Sequence, residues 1–135
     1  MKKLYLAALS ASAVLALSGC FQTQEGNYQA GLPAARDTIE SKYERTTEEV
    51  FEAAKKALIQ NGTIVSENLV SKSLKARVDT STVWVRIEQA EPNIARIWTQ
   101  VRNSKGTGDI RLASELDKQT ALQLRVLPSN QIPIR

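Results

Sequence analysis

Three stretches in the middle of the chain alternate apolar and polar residues with period two, and they constrain the fold more than any other feature. Leu74, Ala76 and Val78 alternate with Lys75, Arg77 and Asp79. Val83, Val85 and Ile87 alternate with Trp84, Arg86 and Glu88, and Ala95, Ile97, Thr99 and Val101 with Arg96, Trp98, Gln100 and Arg102. Successive side chains on a strand point to opposite faces, so each run predicts a strand with one buried and one open face. One-sided strands of this kind belong to antiparallel sheets. Asp79-Thr80-Ser81 and Glu91-Pro92-Asn93 separate the runs with turn-forming residues, so the three strands read as a meander.

A helix is predicted on either side. Thr46 as N-cap with Glu49 three residues later makes a capping box, and Glu48 and Glu49 favour the positive end of the helix dipole. Val50, Ala53, Ala54, Ala57 and Leu58 share one helical face, with Phe51 at its border, and Asn61-Gly62 supplies the stop. The second helix opens near Thr107, read as its N-cap, and carries Ala113, Leu116, Thr120 and Leu124 on its inner stripe, with Pro128 as terminator. Ile39 to Arg45 alternates loosely and reads as a short edge strand, and Thr63 to Glu67 as another strand, with a turn region up to Ser71-Lys72. The expected fold is therefore α+β: an antiparallel sheet of three to five strands with two helices packed on one face, in the order (β)-α-β-β-β-β-α. It occupies residues 39–127 as one domain, with a loose tail at 128–135.

The front of the chain has a different character. Lys2 and Lys3 precede an apolar run from Leu4 to Leu17, interrupted only by Tyr5, Ser10 and Ser12. Its length of about 14 residues falls short of the ~20 needed to span a bilayer, and the layout is that of a secretory signal. Leu17-Ser18-Gly19-Cys20 resembles the lipobox of bacterial lipoproteins, in which the Cys thiol receives a diacylglycerol, the chain is cut just before it and the new amino group is acylated. Cys20 is the only cysteine, and an unmodified secreted form would carry one free thiol. The expectation is a cleaved signal peptide over 1–19, a lipidated Cys20, and a flexible tether over 20–38. Tyr28 and Leu32 offer the tether an alternative, to dock on the domain. The lipobox resemblance also implies an address: Phe21, not Asp, follows the Cys, which in such lipoproteins of Gram-negative bacteria favours the periplasmic face of the outer membrane.

Removal of residues 1–19 takes Lys2 and Lys3 away, so the sixteen basic residues left stand against fourteen acidic ones, about +2. No block of like charge occurs, which argues against a nucleic-acid partner. The chain has no His, and its one Cys is committed to the anchor. Zinc sites of the usual Cys and His type, Cys or His nucleophile systems, a His general base and disulfides are excluded on that count. The sequence implies no cofactor, no metal and no catalytic residue, since its carboxylates and serines fall at caps, turns and solvent positions. Gly106-Thr107-Gly108 lacks both the dinucleotide-binding glycine spacing and the Lys-Ser/Thr pair of a phosphate loop.

Several of these segments together resemble a family of small bacterial lipoproteins of around 130 residues that carry a domain of unknown function. Val50 to Leu58 looks like its first helix, Leu74 to Arg77 and Val83 to Ile87 like its central strands, and Gly108-Asp109 with Ala113-Ser114 and Leu116 like the opening of its second helix. The likeness covers about residues 41–125. Where the family has a glycine between the second and third strands, this chain has Ser71-Lys72. The resemblance implies a fold and an address and brings no activity with it.

With hairpins symmetric about their turns, Arg77, Trp84 and Trp98 stand side by side on the open face, with Lys75, Arg86 and Arg96 as the next row. This face is the expected interaction surface for an envelope protein partner, beside the membrane that Cys20 enters through its acyl chains. Two readings of the tryptophans remain: a recognition surface rich in Trp and Arg, or a cross-strand aromatic pair covered by arginine stems or by the tether. Two functions follow: a non-catalytic protein-interaction module held at the membrane, or a small-ligand or lipid-binding protein with a groove between helices and sheet. For the anchor itself, Cys20→Ala is expected to abolish labelling by radioactive palmitate and to yield a soluble or an unprocessed product. A trimmed, membrane-retained Cys20→Ala product contradicts lipidation.

Overall fold

The computed structural model describes residues 19–31 and 36–127. The expected signal segment except Gly19, with Leu17 and Ser18 of the lipobox, lies outside the described residues, as do Leu32 and the tail 128–135.

The fold is α+β, with two helices, a five-stranded antiparallel sheet and a separate two-stranded one. In chain order the elements are β1 (Gly19–Gln22), β2 (Tyr28–Gly31), β3 (Thr38–Tyr43), α1 (Thr47–Asn61), β4 (Thr63–Asn68), β5 (Ser73–Val78), β6 (Ser81–Glu91), β7 (Ile94–Arg102) and α2 (Ile110–Val126). The large sheet runs β3-β7-β6-β5-β4, so α1 carries the chain from one edge of the sheet to the other, and β1 and β2 pair only with each other.

The alternation decides the layering. Leu74 pairs with Val85 and Val85 with Thr99, Ala76 with Val83 and Val83 with Val101, and Ile87 with Ile97; all of these are buried on the helix side. Onto this face α1 lays Val50, Phe51, Ala53, Ala54, Ala57 and Leu58, and α2 lays Ala113, Leu116, Thr120 and Leu124, all buried. Alanines at the contact let α1 approach the sheet closely, and interiors of this kind pack to crystal-like density. The capping box forms as expected: Glu49 N–H donates to Thr46 Oγ1 at 3.2 Å, and Thr46 N–H to Glu49 Oε2 at 3.0 Å. At α2 the N-cap is Asp109, whose Oδ1 accepts from Leu112 N–H at 3.0 Å; Thr107 stands outside the helix.

The turns are tighter than symmetric hairpins centred on the turn triplets would be. Asp79 takes φ 52° and closes the β5–β6 hairpin with Thr80 in two residues, so Val78 faces Ser81. Pro92-Asn93 closes β6–β7 with Asn93 at φ 61°, a Pro-then-left-handed order typical of a type II turn, and the pairing shifts between Gln89 and Glu91. Lys72 occupies φ 50° in the β4–β5 turn, a left-handed conformation that favours glycine, and Asn68 Oδ1 accepts from Val70 and Ser71 N–H at 3.0 Å each.

The largest departure lies before the domain. The segment expected as a tether folds, in its described part, into the β1–β2 hairpin and a buried Asp37. The hairpin covers part of the sheet's open face as a third layer. Phe21, buried, meets Trp84 edge-on with ring centroids 6.0 Å apart at 73°, and Trp84 is 1% exposed. Gly31 packs so closely on Phe21 and the Gly106 carbonyl that an added Cβ would fall 2.9 Å from each.

Truncating Phe21 to Ala removes the one aromatic contact that holds the hairpin over Trp84. In a Trp98→Phe background, F21A is expected to raise acrylamide quenching of Trp84 several-fold. The docked hairpin loses about 3 kcal/mol, the scale of a buried Phe truncation, while the helix-side core keeps its cooperative unfolding. Quenching unchanged from the parent would place the hairpin elsewhere.

Candidate functional site

The open face of the large sheet is a grid whose rows run across the strands, and the pairings give each row its members. Arg77, Thr82 and Arg102 form one row; Lys75, Trp84 and Gln100 the next; then Ser73, Arg86, Trp98 and Glu40; then Glu88, Arg96 and Lys42. The expected rows of Arg77 with Trp84 and Trp98, and of Lys75 with Arg86 and Arg96, are therefore corrected. Two-residue closure at Asp79-Thr80 moves Trp84 from Arg77 to Lys75, and the later β6–β7 turn moves it from Trp98 to Gln100. All six residues do occupy the open face, but they fall into two groups.

The first group lies under and around the hairpin. Lys75 Nζ stands 6.0 Å from the Trp84 ring centre, and the Arg102 guanidinium lies 4.0 Å from that of Phe21. Arg102 Nε donates to Asp37 Oδ2 at 2.6 Å and its Nη1 to the Gly106 carbonyl at 2.8 Å. Gln100 Nε2 donates to the same Asp37 Oδ2 at 2.7 Å and to the Gln22 carbonyl at 3.1 Å, and Gln100 Oε1 accepts from Gln24 N–H at 2.9 Å. Trp84 thus belongs to the structure's interior, and the covering role falls to the segment around Phe21.

The second group remains open. Trp98 lies between two guanidiniums, Arg86 at 4.9 Å and Arg96 at 5.5 Å from its centre, and its Nε1 donates to Glu40 Oε2 at 3.2 Å. Arg86 Nη2 pairs with Glu88 at 3.2 Å, Arg96 Nη1 with Glu88 at 3.6 Å and Lys42 Nζ with Glu91 at 3.9 Å. Arg96 Nε lies 3.1 Å from Glu40 Oε1 without pointing along it, an ion pair without a directed hydrogen bond. Three cations and three carboxylates balance. Exposed pairs of this kind contribute about 0.2–1 kcal/mol each, so together they hold side-chain positions more than they stabilise the fold. The missed members, Glu40 and Lys42, sit on β3 beside Trp98 and Arg96. Their signal in the sequence is the acidic and basic alternation across from Ile39, Ser41 and Tyr43.

Two grooves and one side-chain cluster add to these groups. A polar groove of 590 Å³ runs between the hairpin tip at Glu25-Gly26 and Ser66, Ser73 and Arg86. A second, of 770 Å³, opens between the start of α2 and the β5–β6 turn, floored by Ile39, Val78 and Leu112. Further along the same edge strand, Ser41 Oγ donates to Asp117 Oδ2 at 2.7 Å and Tyr43 Oη to Asp117 Oδ1 at 3.0 Å, tying β3 to α2. Among the described residues no three His, Cys, Asp or Glu side chains gather into a metal-binding group. No protein-family model matches the chain, and no curated protein is similar enough to count as a relative.

Burial first, and then the negative charge of Asp117, push the Tyr43 hydroxyl well above its ordinary value of 10.0. A phenol that must stay neutral is no base, and the cluster is a clamp. Its folded value being raised, Tyr43 contributes its full stabilisation below pH 10, and the contribution falls as pH climbs from there toward the folded value. The melting temperature of the native protein is therefore expected to drop between pH 9.5 and 11 more steeply than that of Tyr43→Phe, and equal slopes would remove the clamp from this account.

Proposed function

We propose that the protein is a lipid-anchored component of a bacterial cell envelope that acts as a non-catalytic protein-interaction module. The lipobox pattern ending at Cys20 supports the anchor, and the likeness of the 41–125 segment to small bacterial lipoproteins agrees with it. Among the described residues no helix is long and apolar enough to cross a membrane, so on this reading the acyl chains on Cys20 do the holding, and two or three of them are enough for lasting attachment. Phe21 after the Cys favours the periplasmic face of the outer membrane.

The observation that carries the interaction reading is the uncovered Arg86–Trp98–Arg96 group. Its indole is preset between two guanidiniums, and Trp and Arg dominate the energetics of protein interfaces. Its balanced charge fits a partner surface with both signs, recognised through stacking and exchange of ion pairs, better than a uniformly anionic polymer. The groove of 770 Å³ over Ile39, Val78 and Leu112 is what favours the second reading, a small apolar or lipid ligand held between α2 and the end of the sheet.

A photo-activatable residue at Arg86 in cells, with one at Lys56 on the exposed side of α1 as control, separates the two. A discrete adduct from position 86 alone is expected, and its mass identifies the partner. Absence of an adduct at 86, with a lipid-sized ligand copurifying, would favour the groove.

A further inference from the structure

At the end of the sheet where β5 turns into β6, the open face holds a third pocket, of 320 Å³, between the hairpin and the loop that follows β7. Arg77, Thr80, Thr82, Asn103 and Ser104 line it, with Trp84 in its wall, and the residues around it include two arginines and no carboxylate. Around Trp98, by contrast, Arg86, Arg96 and Lys42 each meet a glutamate. Arg102 is matched by Asp37, whereas Arg77 has no carboxylate within ion-pair distance among the described residues. A guanidinium, three hydroxyls and a carboxamide form a donor-rich set of the kind that holds a phosphate oxyanion. The buried Trp84 Nε1 has no acceptor among the described residues.

The place of the pocket says where the phosphate comes from. Ala30, in its lining, is the direct pairing partner of Cys20, and the neighbouring Gly31 packs on Gly106. Paired residues of antiparallel strands lie about 5 Å apart. Acyl chains on Cys20 therefore enter the bilayer next to this pocket, not at the far end of a flexible leash.

We propose that this pocket binds the headgroup phosphate of an anionic phospholipid, so that the domain stands on the bilayer on the β5–β6 end of its sheet. The siting rests on the reading that Cys20 is acylated; the oxyanion chemistry of the pocket does not. In this pose the Arg86–Trp98 group, four residues along β6 from Thr82, faces sideways about 13 Å further from the membrane, open to a partner.

The test uses full-length protein extracted from membranes into a neutral maltoside detergent, followed through the indole N–H resonance of Trp84. Short-chain phosphatidylglycerol is expected to shift that resonance saturably, inorganic phosphate at the same concentration to leave it in place, and Arg77→Gln to weaken the lipid response about tenfold or more, the scale of one lost charge-assisted contact. Arg77→Lys, which keeps the charge, is expected to recover part of it. Absence of a lipid-induced shift, or one undiminished in Arg77→Gln, overturns the proposal, and an equal response to free phosphate overturns its assignment to lipid. The mass of Cys20 in the same sample reports acylation separately, so a failed anchor and a failed pocket give different results.

Discussion

The contact on which the rest of the open face depends is the buried pair of Asp37 and Arg102, Nε to Oδ2 at 2.6 Å. Asp37 leads into the edge strand β3, and Arg102 ends β7. The second carboxylate-bound donor is Gln100, whose amide also reaches the hairpin at the Gln22 carbonyl, while Arg102 extends to the Gly106 carbonyl and lies over Phe21. One carboxylate thus gathers the hairpin, the last row of the sheet and the loop before α2. Desolvating two ions is expensive, and a buried pair is no guarantee of net stability; removing one partner alone costs about 3–5 kcal/mol because the other charge is left stranded. What the pair supplies is position: it orients Gln100 and Arg102, the two side chains that meet the hairpin at the Gln22 carbonyl and the Phe21 ring.

That constraint explains why a sheet whose strands read as one-sided has cover on both faces. The helix side is filled by aliphatics in the regular alternation. The other side carries Trp84, too large and apolar to leave wet, beside residues that are not. A four-residue strand with a single Phe and a following Thr23 is enough to dry this one row, because Arg102, Lys75 and Gln100 contribute their stems and amides around it. The rows beyond it stay open and hold themselves with paired charges.

The layers were legible in the sequence because period-two alternation decides face irrespective of register, and every residue assigned to the helix side from Leu74 to Val101 is buried there. Both helices were legible through their apolar stripes and, for α1, its capping box. Register was not, since it depends on the φ of Asp79 and Asn93, and a change of one residue in a turn's centre moves cross-strand partners by two. The hairpin was not legible as one because Phe21 to Gly31 has no sustained period and a high share of small and polar residues; docking of this segment was expected as an alternative through Tyr28, which is exposed, whereas Phe21 makes the contact. Its stability comes from contacts remote in sequence, Trp84, Gln100 and Arg102, and local pattern carries no trace of these. A further hint was compositional: Phe21 directly after Cys20, and a lone Asp37 with no nearby basic partner except Arg36.

The two halves of the open face differ in how their charges are met, and that difference separates their chemistry. Around Trp98 each guanidinium has a carboxylate within 4.0 Å, so a partner there must exchange one set of ion pairs for another, and specificity comes from the fit of the exchange. Arg77 has no carboxylate within ion-pair distance among the described residues, so an oxyanion there would add a pairing instead of exchanging one. The boundary between the two kinds runs along the hairpin, whose Cys20–Ala30 pair lies at the Arg77 end, so the strand that dries Trp84 also separates the two kinds of charge balance.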